Sequence, residues 1–167
     1  IRDRPNKVRR ITLCNQKLDL ELSWTTKKFQ GGPRWLQWTI FNLLGPLSNP
    51  ALVKRIMVGV FDQSYCASFA HVLAQLGTTH AWVVHGAAGL DEVSTTGKTH
   101  VAALLDGKVT EFTITPDDIG LRTASLDQLR GGDGDHNARY LRALLEGETG
   151  PYHAVVLFNA AAALVAG

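Results

Sequence analysis

The sequence predicts an α/β fold in which a central mixed β-sheet is flanked by helices. Residues 55–61 (RIMVGVF) form a short β-branched run, residues 64–76 place Ala67, Ala70, Leu73, Ala74 and Leu76 at helical spacing, and residues 80–85 (HAWVVH) return to a buried-strand pattern. Strand, helix and strand at this spacing make a βαβ unit: parallel strands need a crossover, and the twist of L-chains makes it right-handed. Residues 101–105 and 108–114 then flank a turn at Gly107, a hairpin that brings antiparallel pairing into the sheet.

The remaining elements follow in order. Residues 39–47 (TIFNLLGPL) are apolar at most positions and run into Gly45-Pro46 and Asn49-Pro50, which predicts a short buried helix and a turn. Gly77 follows the 64–76 pattern as a helix C-cap. Thr115-Pro116-Asp117-Asp118 makes the exit turn of the hairpin. Asp135 is placed to cap a helix over 136–145 that Gly147 closes, and an apolar segment over 153–165 predicts a last helix with one face to bury.

The 167 residues, 45% of them apolar, are enough for one compact domain with a core of its own. The formal charge of +2 is concentrated in Arg2, Arg4, Lys7, Arg9, Arg10, Lys17, Lys27, Lys28 and Arg34, so the rest of the chain is close to neutral. This basic arm lacks any helix-turn-helix, zinc-finger or RNA-stacking pattern, and no nucleic-acid partner is expected. The composition changes near Trp38, where a charged stretch with Trp24, Trp35 and a Gly31-Gly32-Pro33 break gives way to smoother Ala- and Leu-rich sequence. The expected organisation is therefore 1–38 and 39–167. Cys14 and Cys66 are too few for a disulfide framework and lack metal-ligand spacing, which suits a reducing, cytoplasmic setting. No apolar run approaches the roughly 20 residues that cross a bilayer, so no membrane partner is expected.

The chemistry concentrates in residues 85–99 (HGAAGLDEVSTTGKT), where a strand enters a glycine-bearing loop with adjacent carboxylates Asp91 and Glu92. Hard cations such as Mg²⁺ prefer oxygen ligands of this kind. Neighbouring side chains on extended backbone point opposite ways, so the pair can share one ion only if the loop turns, as Gly86 and Gly89 would permit. An adjacent Asp-Glu pair is by itself also compatible with solvated surface charge. The stretch 131–135 (GGDGD) resembles a phosphate cradle, but Asp133 and Asp135 would repel an anion there, and a loop with a helix cap is the better reading. His71, His80, His85, His100, His136 and His153 form no nucleophile arrangement. Only His85 adjoins the candidate loop, where a strand-end histidine is expected.

Residues 39–50 (TIFNLLGPLSNP), 82–92 (WVVHGAAGLDE), 115–121 (TPDDIGL), the GGD and NA pattern of 131–138, and 141–164 together resemble the anthranilate phosphoribosyltransferase family. The resemblance implies most of that family's large domain. It also implies the family's reaction in tryptophan biosynthesis: transfer of a phosphoribosyl group from phosphoribosyl diphosphate to anthranilate, with Mg²⁺ as cofactor. The family's metal-binding pair falls on Asp91 and Glu92. It implies small-molecule substrates and a homodimeric assembly. Two departures qualify this. Trp38 stands where the family has an arginine for the anthranilate carboxylate, and an indole cannot reproduce a guanidinium's paired, charged hydrogen bonds. Residues 1–38 resemble none of the family's upstream helices or its glycine-rich diphosphate loop, and the family continues past the last residue. The expectation is a chain cut at both sides, with 1–38 translated from a shifted frame or belonging to a damaged gene, and little activity alone. The alternative is a non-catalytic remnant that serves as a binding or assembly module.

Overall fold

A computed structural model describes residues 11–13, 16–18 and 40–167 of the chain. Trp38, Cys14 and the boundary expected at 38 lie outside the described residues. The chain divides into two compact units, Ile1–Ala51 and Leu52–Gly167. The division falls just after Asn49-Pro50, where proline halts the helical path.

In the first unit, β1 (Ile11–Leu13) and β2 (Gln16–Leu18) pair antiparallel, with Thr12 opposite Lys17. The sequence pattern predicts no element there. Helix α1 (Ile40–Leu47) carries Pro46 in its last turn. Ser48 closes it by donating from its backbone N–H and its hydroxyl to the Leu44 carbonyl, at 2.9 and 2.7 Å.

The second unit holds β3 (Arg55–Gly59), α2 (Cys66–Gln75), β4 (His80–Gly86), β5 (Thr99–Leu105), β6 (Lys108–Ile114), α3 (Gly134–Leu145) and α4 (Pro151–Ala166). The sheet order is β3-β4-β5-β6. β3 and β4 are parallel, joined through α2, with Val58 opposite Val83. β4, β5 and β6 are successive antiparallel neighbours, with His85 opposite His100 and His100 opposite Thr113. This is the mixed sheet expected.

Three boundaries differ from expectation for local reasons. β3 stops at Gly59 instead of running to Phe61, because the Asp62 carboxylate accepts from the Ser64 N–H and starts a tight turn over Gln63–Tyr65. Asp133, not Asp135, is the N-cap of α3, and its side chain accepts from the His136 N–H at 2.8 Å. Asp135 lies in the first turn, where a carboxylate still complements the positive end of the helix. α4 starts at Pro151, two residues early, because a proline's missing N–H falls where no intrahelical partner exists. Gly77 ends α2 as expected: its φ of +89° lets its own N–H and that of Thr78 reach back to Ala74 and Leu73.

Strand alternation divides the sheet residues between two layers. On one face Val84 and Val101 pack with Val93 of the following loop and with Phe158 and Ala162 of α4; Met57, Trp82 and Ala103 border them. The opposite face carries Ala81, Val83, Ala102 and Leu104 toward α2, whose Cys66, Phe69, Ala70 and Leu73 are buried. At the carboxyl end of β4 this α2 face turns polar, with His85, His100, Glu111 and Thr113 in one patch.

Candidate functional site

The segment between β4 and β5 leaves the sheet at the carboxyl end of a parallel strand, where open α/β sheets bind their ligands. A tight turn over Ala87–Gly89 reverses the chain, and the Gly86 N–H donates to the Leu90 carbonyl at 2.7 Å. The left-handed residues of this turn are Ala88 (φ +62°) and Gly89 (φ +79°). Gly86, expected to supply freedom in the turn, is extended and supplies space. A Cβ there would lie 2.5 Å from the Glu92 carbonyl oxygen and 2.8 Å from the Ser94 Cβ. Gly59 of β3 plays the same part for Asp91, whose backbone carbonyl lies directly against it. Two glycines on adjacent strands thus form a flat seat, and the Asp91-Glu92 segment bends over it.

Asp91 and Glu92 follow one another on this bend, Asp91 exposed and Glu92 half-buried. Partial burial raises the Glu92 pKa above its ordinary value, and the neighbouring Asp91 charge pushes it further the same way. A half-buried carboxylate whose charge is disfavoured by its surroundings and by a neighbouring acid is one that a cation would relieve. Among the described residues, no group of three or more His, Cys, Asp or Glu side chains is placed to hold a metal. Mg²⁺ is commonly held by one or two carboxylates together with water and phosphate oxygens, a donor set that an Asp-Glu pair can supply in part.

Behind the bend the chain is fixed from α4. The Asn159 carboxamide accepts from the Val93 N–H at 2.9 Å and donates to the Val93 carbonyl at 2.8 Å. Ser94 continues the anchoring, its N–H donating to the buried Thr99 hydroxyl at 2.8 Å. Sequence reasoning missed both Asn159 and Gly59. Asn159 sits in an alanine-rich helical run and Gly59 inside a strand pattern, with no local signal of their partners.

His85 is the strand-end histidine expected. Its Nδ1 lies 2.8 Å from the Val60 carbonyl, which can only accept, so Nδ1 carries the proton. His85 lines a cleft of about 270 Å³ with Gln63, Lys98, His100, Thr113 and the Gly86–Gly89 turn. His100 Nε2 lies 2.8 Å from a Glu111 carboxylate oxygen. The 131–135 stretch is a loop and helix cap, held by Asn137, whose carboxamide bonds both the N–H and the carbonyl of Gly132.

A mixed sheet between helices, with a carboxylate pair beyond the carboxyl end of β4, defines an α/β domain. The chain belongs to the glycosyl transferase family: the family described as "Glycosyl transferase family, a/b domain" matches residues 21–167. It is 58% identical over 127 residues to the anthranilate phosphoribosyltransferase of Azorhizobium caulinodans, an alignment covering 76% of this chain and 37% of that one. Among solved structures it is similar to anthranilate phosphoribosyltransferase from Thermus thermophilus. There the TM-score is 0.69 and the identity 40%, over 77% of this chain and 38% of that one. It is also similar to the Saccharomyces cerevisiae enzyme in complex with PRPP and Mg, at a TM-score of 0.62 and 30% identity, over 73% of this chain and 36% of that one. The chain thus spans somewhat over a third of the length of the relatives it matches.

Proposed function

We propose that this chain is the carboxylate-bearing part of an anthranilate phosphoribosyltransferase. The reaction joins the anthranilate amine nitrogen to C1 of the ribose of phosphoribosyl diphosphate. The bond from C1 to the diphosphate oxygen breaks, diphosphate departs with the bonding pair, and the amine gives up a proton. Asp91 and Glu92 are the residues that would hold Mg²⁺. When bound, the ion supplies positive charge against the negative charge that builds on the leaving diphosphate. The chain's own part is to keep the two carboxylates on one bend and to leave the rest of the ion's shell open to phosphate oxygens.

The observation that carries this reading is the bend itself: Gly59 and Gly86 seat it, and Glu92, half-buried beside Asp91, has its pKa raised by both burial and charge. The similarity to a yeast relative solved with PRPP and Mg supports it. With the family come its place in tryptophan biosynthesis and a cytoplasmic setting, which the free thiol of Cys66 suits.

The test is a thermal melt with and without Mg²⁺ on the wild-type chain and on Asp91→Asn with Glu92→Gln. A ligand at about 100 times its Kd stabilises by about 2.7 kcal/mol. The wild type should gain on that scale and the double variant should not respond. An equal response in both would remove the pair from the metal role.

A further inference from the structure

We propose that Asn159 is a positioning residue for the cation site: its clamp on the Val93 peptide fixes the direction of the Glu92 carboxylate. This rests on the reading of Asp91 and Glu92 as the metal pair.

Val93 directly follows Glu92, and both polar groups of its backbone end on one side chain. The Asn159 carboxamide accepts from its N–H at 2.9 Å and donates to its carbonyl at 2.8 Å, as a neighbouring strand would. The same Nδ2 also donates to the Val155 carbonyl at 3.0 Å, one turn back in α4, so the carboxamide is itself held. The Val93 side chain is fully buried against Phe158, the residue before Asn159, so one turn of α4 grips Val93 by backbone and side chain together. The Glu92 carbonyl, which shares a peptide unit with the Val93 N–H, lies against Gly86, so the peptide that follows the carboxylate-bearing Cα is held from β4 and from α4 together.

The chemistry of the clamp is specific to asparagine. A carboxylate can accept from the Val93 N–H but cannot donate to its carbonyl, an aliphatic side chain does neither, and glutamine is a methylene too long. Outer groups that orient metal ligands affect metal affinity without touching the ion. The molecule contains its own control: Asn137 makes the same two bonds to Gly132, in a loop that carries no member of the pair.

The test is Mn²⁺ titration, followed by electron paramagnetic resonance, of the full chain as wild type, N159D, N159L, N137A and Asp91→Asn with Glu92→Gln. Amide exchange at Val93 is measured on the same samples without metal. N159D and N159L should weaken Mn²⁺ binding by about 10- to 100-fold and speed exchange at Val93, while N137A leaves both unchanged. N159D keeps one of the two bonds and carries the test if N159L does not fold. Wild-type affinity in N159D would overturn the positioning role while the carboxylate reading stands, because a merely structural asparagine moves stability alone. Wild-type affinity in the carboxylate double variant, or no binding by the wild type, would sink both.

Discussion

Gly59 and Asp91 stand on different elements, yet a Cβ on Gly59 would fall on the Asp91 backbone carbonyl. No rotamer change relieves such an overlap, because the backbone fixes the Cβ and its partner is main chain. Gly59→Ala should therefore lift the carboxylate bend from its seat. We expect a loss of about 3 kcal/mol or more, the upper end of overpacking costs, together with loss of the Mg²⁺ response. Urea unfolding with and without Mg²⁺ checks both parts.

Much of the fold is legible in the sequence because its signals are local. Alternation and one turn glycine mark the β5–β6 hairpin, and a change of period marks the β3-α2-β4 unit. The boundaries that move are ones where two similar residues compete, as Asp133 and Asp135 do on either side of Gly134, or where a proline reads equally as break or start. The candidate site is half legible. Asp91 and Glu92 stand out in a glycine-bearing loop and in the family resemblance. What seats and clamps them does not: Gly59 meets Asp91 across 32 positions of sequence, and Asn159 meets Val93 across 66. Only the sheet's parallel pairing and the return of α4 bring those residues together.

Glu92 should make the protein pH-sensitive in a direction opposite to a salt-bridged acid. Its folded-state pKa is raised from the ordinary 4.5, so the native state holds this proton more tightly than the unfolded chain does. Stability from this group is then lost as pH rises from the ordinary carboxylate range through the raised value. Glu92→Gln should melt higher than wild type at neutral pH without metal, and the gain should fade as pH falls toward about 4, the ordinary range of the carboxylate. Melting curves across that range decide it. A constant gain at all pH values would mean that the ionised carboxylate is not the source.

Phe158 is 3% exposed and packs against Val84, Val93 and Val101, joining α4 to the sheet beneath the carboxylate loop. Phe158→Ala should cost about 3–5 kcal/mol, the usual range for emptying a buried aromatic site. The denaturation midpoint measures this.

Cys66 is fully buried at the start of α2. Burial pushes its thiol up to about 11, with the Glu111 and Asp62 carboxylates acting in the same direction. The nucleophilic thiolate is therefore scarce at neutral pH. Iodoacetamide in mildly alkaline buffer should leave the Cys66 peptide unmodified in the folded chain and label it in urea, as mass mapping would show. Cys66→Ser should destabilise by about 1–3 kcal/mol, because the new hydroxyl is buried more unfavourably than a thiol.

The His100–Glu111 pair has a consequence outside any chemistry of the site. β6 is the last strand of its sheet, and an end strand of seven residues presents a row of main-chain groups on which another copy could add itself. Natural edges resist this with charges turned inward, because a second strand laid alongside would have to cover them. Glu111, held toward the α2 face by His100 and still half-exposed, is such a charge in the middle of the strand, and Lys108 guards its beginning. Glu111→Val would leave Val109, Phe112 and Ile114 on an unguarded edge. Light scattering that grows with concentration in that variant, and not in wild type, would identify the Glu111 carboxylate as what keeps the molecules apart.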